Sequence, residues 1–130
     1  MDDLRSSLEE RFGCYLEVND GWLSLLKELA DNLDAVRSIS SYSVGQIKQK
    51  YGWLDVNGLH VEAAPVDLPK GLPVTEPMLG PLESANIEVN LVQAKALRTC
   101  EFCGGEGERK TVRGWIWVVC PECQASRLER

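Results

Sequence analysis

The chain of 130 residues has a single histidine, His60, and no run of about 18 apolar residues such as a membrane-spanning helix needs. Its opening, MDDLRSSLEERF, lacks the basic and apolar regions of a secretory signal. A cytoplasmic protein is therefore expected. It is also short of positive charge. Fourteen Lys and Arg face twenty Asp and Glu, a net charge of −6, and this argues against general binding to phosphate backbones, which needs clustered cations. Residues 1–99 carry the whole acidic excess, because residues 100–130 hold five charges of each sign. Catalytic constellations are scarce too. No nucleophile with a base and no paired carboxylates stand out, and His60 falls on an expected strand beside Leu59 and Val61. A non-enzymatic protein is expected.

What is present points to a folded α+β chain, since 44% apolar and 26% charged residues suit a globular core. Leu4, Leu8 and Phe12 lie four apart and predict an opening helix over residues 2–12. Trp22, Leu26, Leu29, Leu33 and Val36 repeat at steps of four and three, and Asp20 stands where it could cap that helix. A further short helix is expected over residues 43–51, stopped by Gly52. Asn57-Gly58 then suits a type I′ turn joining strands 53–56 and 59–62. Prolines at 65, 69, 73, 77 and 81 forbid a helix and predict an extended strap. Such a strap serves as a linker, or as an extended ligand for a partner's groove. After it, residues 84–98 predict a helix with Ile87, Leu91, Ala94 and Leu97 along one side. The expected organisation is a helical body with a hairpin over residues 1–62, the strap over 63–83, a helix over 84–99 and a cysteine module over 100–130.

Four of the five cysteines form two Cys-Xaa-Xaa-Cys pairs, Cys100/Cys103 and Cys120/Cys123, separated by sixteen residues. That spacing fits a tetrahedral zinc site built from two knuckles. Gly104 and Gly105 ease the first turn, and Pro121 suits the second. In a reducing compartment such pairs are metal ligands rather than disulfides, although a single iron has the same ligand set. Four thiolates would leave no open position on the ion, so the Zn2+ would be structural. Residues 108–112 and 115–119 can pair across Arg113-Gly114 to complete a zinc ribbon. The fifth cysteine, Cys14, reads as a small hydrophobic residue. Arg109, Lys110 and Arg113 lie beside Trp115 and Trp117, a combination that can contact a protein partner or stack nucleic-acid bases. Alternation puts both indoles on one face, available to a partner, a second copy or the chain's own helices.

Two resemblances follow from these motifs. Cys100-Glu-Phe-Cys-Gly-Gly-Glu-Gly107 is similar to the knuckles of DnaJ-type chaperones, but the second knuckle, CPECQASR, lacks their glycines. More broadly, Gly21-Trp22, the segment QIKQKYG at 46–52, Cys100 to Gly105, Gly114-Trp115 and Cys120 resemble, in order, small bacteriophage and prophage proteins of unknown function. In those proteins the segment continues into Leu-Arg, whereas here it continues into Leu54-Asp55. The resemblance implies a phage or prophage origin and a role in binding host machinery, including inhibition of a defence system. The leading expectation is thus a zinc-ribbon protein acting through protein contacts. A nucleic-acid-binding ribbon is the alternative.

Overall fold

The computed structural model describes residues 2–65 and 80–129 and has an α+β architecture of helices and small sheets. Helix α1, Asp2–Phe12, forms as its four-residue step predicts, and Leu8 and Phe12 are fully buried. Gly13, with φ +76°, ends it through a bond from its amide to the Glu9 carbonyl. A two-residue strand β1, Leu16–Glu17, and a 3₁₀ turn, Asp20–Trp22, lead into α2, Leu23–Ala35. Trp22, Leu26, Leu29 and Leu33 fill the core as their spacing requires. Asp20 does not cap α2; it lies within the 3₁₀ turn and accepts a hydrogen bond from Arg5 at 2.8 Å. Val36 falls just beyond the helix in extended backbone. Ion pairs from Arg11 to Asp31 and Asp34 tie α1 to α2.

The next segment departs from the sequence expectation. Residues 43–51 are not helical: β2 (Ile39–Ser43) and β3 (Gln46–Lys50) occupy them, followed by β4 (Trp53–Asn57) and β5 (His60–Ala63). The hairpin joins β3 to β4, with Lys50 opposite Trp53, and its two-residue turn is Tyr51-Gly52, both at positive φ. Asn57-Gly58 makes no hairpin, because β4 pairs with β3 and β5 pairs with β2. Asn57-Gly58 packs instead against Gly45, between β2 and β3. A Cβ on Gly58 would stand 3.2 Å from the Gly45 backbone, and the Gly45 amide donates to the Asn57 carbonyl at 3.0 Å. Val44 and Ile47, three apart, mimic a helical stripe, yet both reach the core from extended chain.

Helix α3, Pro81–Ala96, begins inside the expected strap, because proline is compatible with a first helical turn. The strap's residues 66–79 lie outside the described residues. The buried face of α3 is Ala85, Val89, Val92 and Ala96, while Ile87 and Leu91 point outward. The buried face of α3, which packs against α2, β4 and β5, is thus built of small and β-branched residues, and the larger Ile87 and Leu91 are exposed. Strands β6 (Glu108–Val112) and β7 (Trp115–Val119) form the expected C-terminal hairpin across Arg113-Gly114, with φ of 52° and 83°. A short helix α4, Pro121–Cys123, and a π-type turn, Gln124–Leu128, follow. Among the described residues, no helix is long and apolar enough to cross a membrane.

Candidate metal centre

The two knuckles bring Cys100, Cys103, Cys120 and Cys123 together, with all four Sγ atoms within 4.8 Å of one another. Four sulfurs about 2.3 Å from a central ion stand roughly 3.8 Å apart at the corners of a tetrahedron. The Cys103 and Cys120 sulfurs are 3.7 Å apart, which matches that edge and far exceeds the roughly 2.05 Å of a disulfide. The donor set therefore fits a bound metal ion. Local backbone shapes each knuckle. The Gly104 amide donates to the Cys100 carbonyl at 2.9 Å, with Gly104 at φ +81°, and the amides of Gly105 and Cys123 approach the sulfurs of Cys103 and Cys120 at 3.4 Å. Cys100 and Cys120 are buried, Cys123 is half-buried and Cys103 is exposed.

Their acidities differ in the metal-free chain. Burial alone would raise the Cys100 thiol, but backbone amides of Cys103, Cys120 and Phe102 outweigh it and bring the pKa down to about 7. Burial together with the neighbouring sulfurs pushes Cys123 up to about 12. Cys120 is also raised: the Cys123 amide favours its thiolate, and burial and the other two cysteines override that.

No sequence pattern singles out Glu101, the residue that follows the first ligand. Glu101 is fully buried, and its carboxylate accepts three hydrogen bonds: from Asn19 Nδ2 at 3.1 Å, Gln49 Nε2 at 3.2 Å and the Val118 amide at 3.0 Å. Its backbone is held as well, because the Glu101 amide donates to the Val118 carbonyl and the Gly21 amide donates to the Glu101 carbonyl. Trp22, buried in the main core, donates from Nε1 to the Thr99 carbonyl at 2.8 Å. Gly21 packs so tightly on the knuckle that a Cβ there would lie 2.3 Å from the Cys100 carbonyl oxygen. No local pattern announces any of this. The one sequence signal was Gly21-Trp22 itself.

The residues expected to form one contact surface are divided by the hairpin's alternation. Arg109 lies on the face that packs against the body, where its guanidinium donates to the Tyr51 carbonyl at 2.8 and 3.1 Å. Lys110 lies on the opposite face, with its ammonium 3.3 Å from Glu108. Trp115 and Trp117 share that second face but differ in burial. Trp115 is 68% exposed, whereas Trp117 is half-buried against Phe102, with ring centroids 5.6 Å apart. Ile116 and Val118 face the body, and Val118 belongs to the main core. Elsewhere, His60 is exposed and pairs with Glu62, and Cys14 packs against the core, where burial and Glu9 raise its pKa.

Compared with known protein families, curated proteins and solved structures, the chain finds no match in any of the three.

Proposed function

We propose that this chain is a non-enzymatic binding protein in which a Zn2+ ion, held by Cys100, Cys103, Cys120 and Cys123, braces a zinc-ribbon hairpin that presents Trp115 to another protein. The observation that carries the reading is the hairpin's asymmetry. One face is consumed by the body through Arg109, Ile116 and Val118, and the other leaves an indole 68% exposed. On that same face lies a groove of about 450 Å³ lined by Glu108, Lys110, Val119, Pro121 and Gln124. An exposed indole is a common anchor of a protein contact. Four thiolates around the ion leave no position for a substrate, which supports a structural ion. The soft tetrahedral four-thiolate set suits zinc, and a single iron would take the same ligands. A phage or prophage origin, with host machinery as the target, rests on the sequence resemblance alone.

Nucleic-acid binding is the second reading, and the split of the cations speaks against it. Arg109 is committed to Tyr51 and Lys110 faces Glu108, so the hairpin offers no continuous basic track to set against a net charge of −6. The test compares native chain with Trp115→Ala. A partner retained by the native protein should lose about 2 kcal/mol or more of affinity with the variant, whose melting temperature should stay native. Equal retention by both proteins would sink the contact role. Tight binding to random DNA or RNA at about 0.15 M salt, weakening steeply as salt rises, would install the second reading instead.

A further inference from the structure

We infer that Glu101 is a positioning residue that locks the first knuckle to the helical body, so that metal occupancy and the docking of body and hairpin are one cooperative event. This rests on the reading that the four cysteines hold a metal. Of the contacts made by residues 99–101, only part lies within the cysteine module; others hold Thr99 to Lys95 and Ala96 of α3, and others again reach Asn19, Gly21 and Trp22 before α2, and Gln49 in β3. Gln49 spans both sides, donating from the same Nε2 to Glu101 at 3.2 Å and to the Ile116 carbonyl at 2.8 Å. Strand β7 turns its outer edge toward this point, and the Val118 amide and carbonyl are both bonded to Glu101.

A single carboxylate thus closes a ring of four segments: the turn before α2, strand β3, the first knuckle and strand β7. The ring includes Cys100 directly. Its sulfur can hold its tetrahedral corner only while residue 101 is seated, because the adjoining peptide is bonded on both sides. The converse also holds. Without a metal, like-charged or protonated thiols no longer draw the knuckles together, and the bonds that anchor the Gly21-Trp22 turn lose their support. The cysteine module is on this account not a tethered accessory, and loss of the ion reaches the body through Gly21 and Gln49.

The experiment uses the full chain loaded with cobalt(II), whose thiolate charge-transfer and d–d absorption report the ligand geometry, and zinc competition to obtain affinity. Glu101→Leu should weaken metal affinity by roughly 10- to 100-fold, the range seen when groups supporting a ligand are removed. Glu101→Gln should restore most of the loss, because its carbonyl can still accept from Val118 and Gln49 while Asn19 turns its amide around. Should Glu101→Leu fail to fold, Asn19→Ala removes one donor from outside the module and should weaken binding in the same direction by less. Hydrogen exchange on the metal-free native chain should show the Gly21 and Val118 amides losing protection together. Native cobalt spectrum and affinity in Glu101→Leu, or protected Gly21 and Val118 amides after metal removal, would overturn the inference while leaving metal binding intact. A native chain that takes up neither cobalt nor zinc would overturn the metal reading and this one together.

Discussion

Substituting Gly21 by alanine tests the packing of the knuckle on the body without touching a ligand. The added Cβ would sit 2.3 Å from the Cys100 carbonyl oxygen, 2.5 Å from the Glu101 carbonyl carbon and 2.7 Å from the Glu101 oxygen. All three are backbone atoms, so no side chain can swing aside; relief requires the two segments to part by about 1 Å. Each segment is fixed. The knuckle is bonded by Cys100 to Gly105 at 2.7 Å and by Glu101 to Val118 at 2.9 Å, and the Gly21 turn is held by the indole of the buried Trp22. Overpacking a fixed site costs about 1–3 kcal/mol, and losing the Gly21 to Glu101 bond adds about 1 kcal/mol. The expected total is about 2–4 kcal/mol, or on the order of 10 °C in melting temperature for a chain of this size.

Gly105→Ala is the control, since it adds the same methyl group to the knuckle on which Gly21 packs but its Cβ would meet only the Cys103 sulfur at an ordinary 3.4 Å. Denaturant unfolding followed by circular dichroism, with metal content measured in parallel, separates the two. Stabilities of Gly21→Ala and Gly105→Ala that agree within about 0.5 kcal/mol would show that the knuckle does not dock on this turn as described.

Three further outcomes are expected. Elemental analysis of the reduced protein should give one zinc per chain, and Cys123→Ser should lose it together with the C-terminal structure, because such binding is folding free energy on the order of 10 kcal/mol; an unchanged melting curve would refute this. Loading the metal at pH 7 should release at least about 2.5 protons, one each from Cys120 and Cys123, whose pKa values lie above 7, and about half from Cys100 near 7. Affinity should accordingly fall as pH falls, and calorimetry in buffers of different ionisation enthalpy would expose a pH-independent site. Trp117→Ala should cost about 2–4 kcal/mol, because the ring packs on Phe102 and the cysteine cluster, while Trp115→Ala should cost under about 1 kcal/mol; similar melting temperatures for the two variants would contradict the difference in burial.

What could be read from the sequence was whatever depends on neighbours along the chain. Helix α1, the stripe of α2, the β6–β7 turn at Arg113-Gly114 and the meeting of two Cys-Xaa-Xaa-Cys pairs all follow from spacing and turn chemistry. The errors arose where distant contacts outweigh local preference. Residues 46–50 become a strand because β1 and β4 flank them, with Leu16 and Val56 on either side of Ile47. Tyr51 adopts the left-handed conformation that Asn57 seemed better suited to, because the register of β3 against β4 places the turn there. On α3, side-chain size pointed to Ile87 and Leu91 as the core stripe, whereas the side turned to the body carries Ala85, Val89, Val92 and Ala96. Division of the basic residues between two faces was implicit in strand alternation, but which face meets the body was not.

Glu101 had no signature at all, and its energetics explain why such a residue is hard to foresee. Burial pushes its carboxyl above the usual carboxylate range even though Val118, Gln49 and Asn19 pull it down, so the site as a whole disfavours the charge it contains. A buried carboxylate in that condition adds little net stability, and an apolar residue of similar size would be a reasonable choice for stability alone. What an apolar residue cannot supply is direction. Three donors from three segments fix one orientation of the knuckle on the body, whereas apolar packing tolerates several. The resemblance motifs acquire a common physical meaning on this basis: Gly21-Trp22, the Gln49 to Gly52 stretch and the first knuckle are distant in sequence but share one contact network with β7. Glycine is required at 21 by a 2.3 Å approach, glutamine at 49 serves two acceptors, and a hydrogen-bonding side chain is required at 101 by partners on three segments. The requirements meet at residue 101, since Gly21 is fixed by the backbone of Glu101 and Gln49 by its carboxylate, and a change at 101 should be compensated only by changes at those two partners.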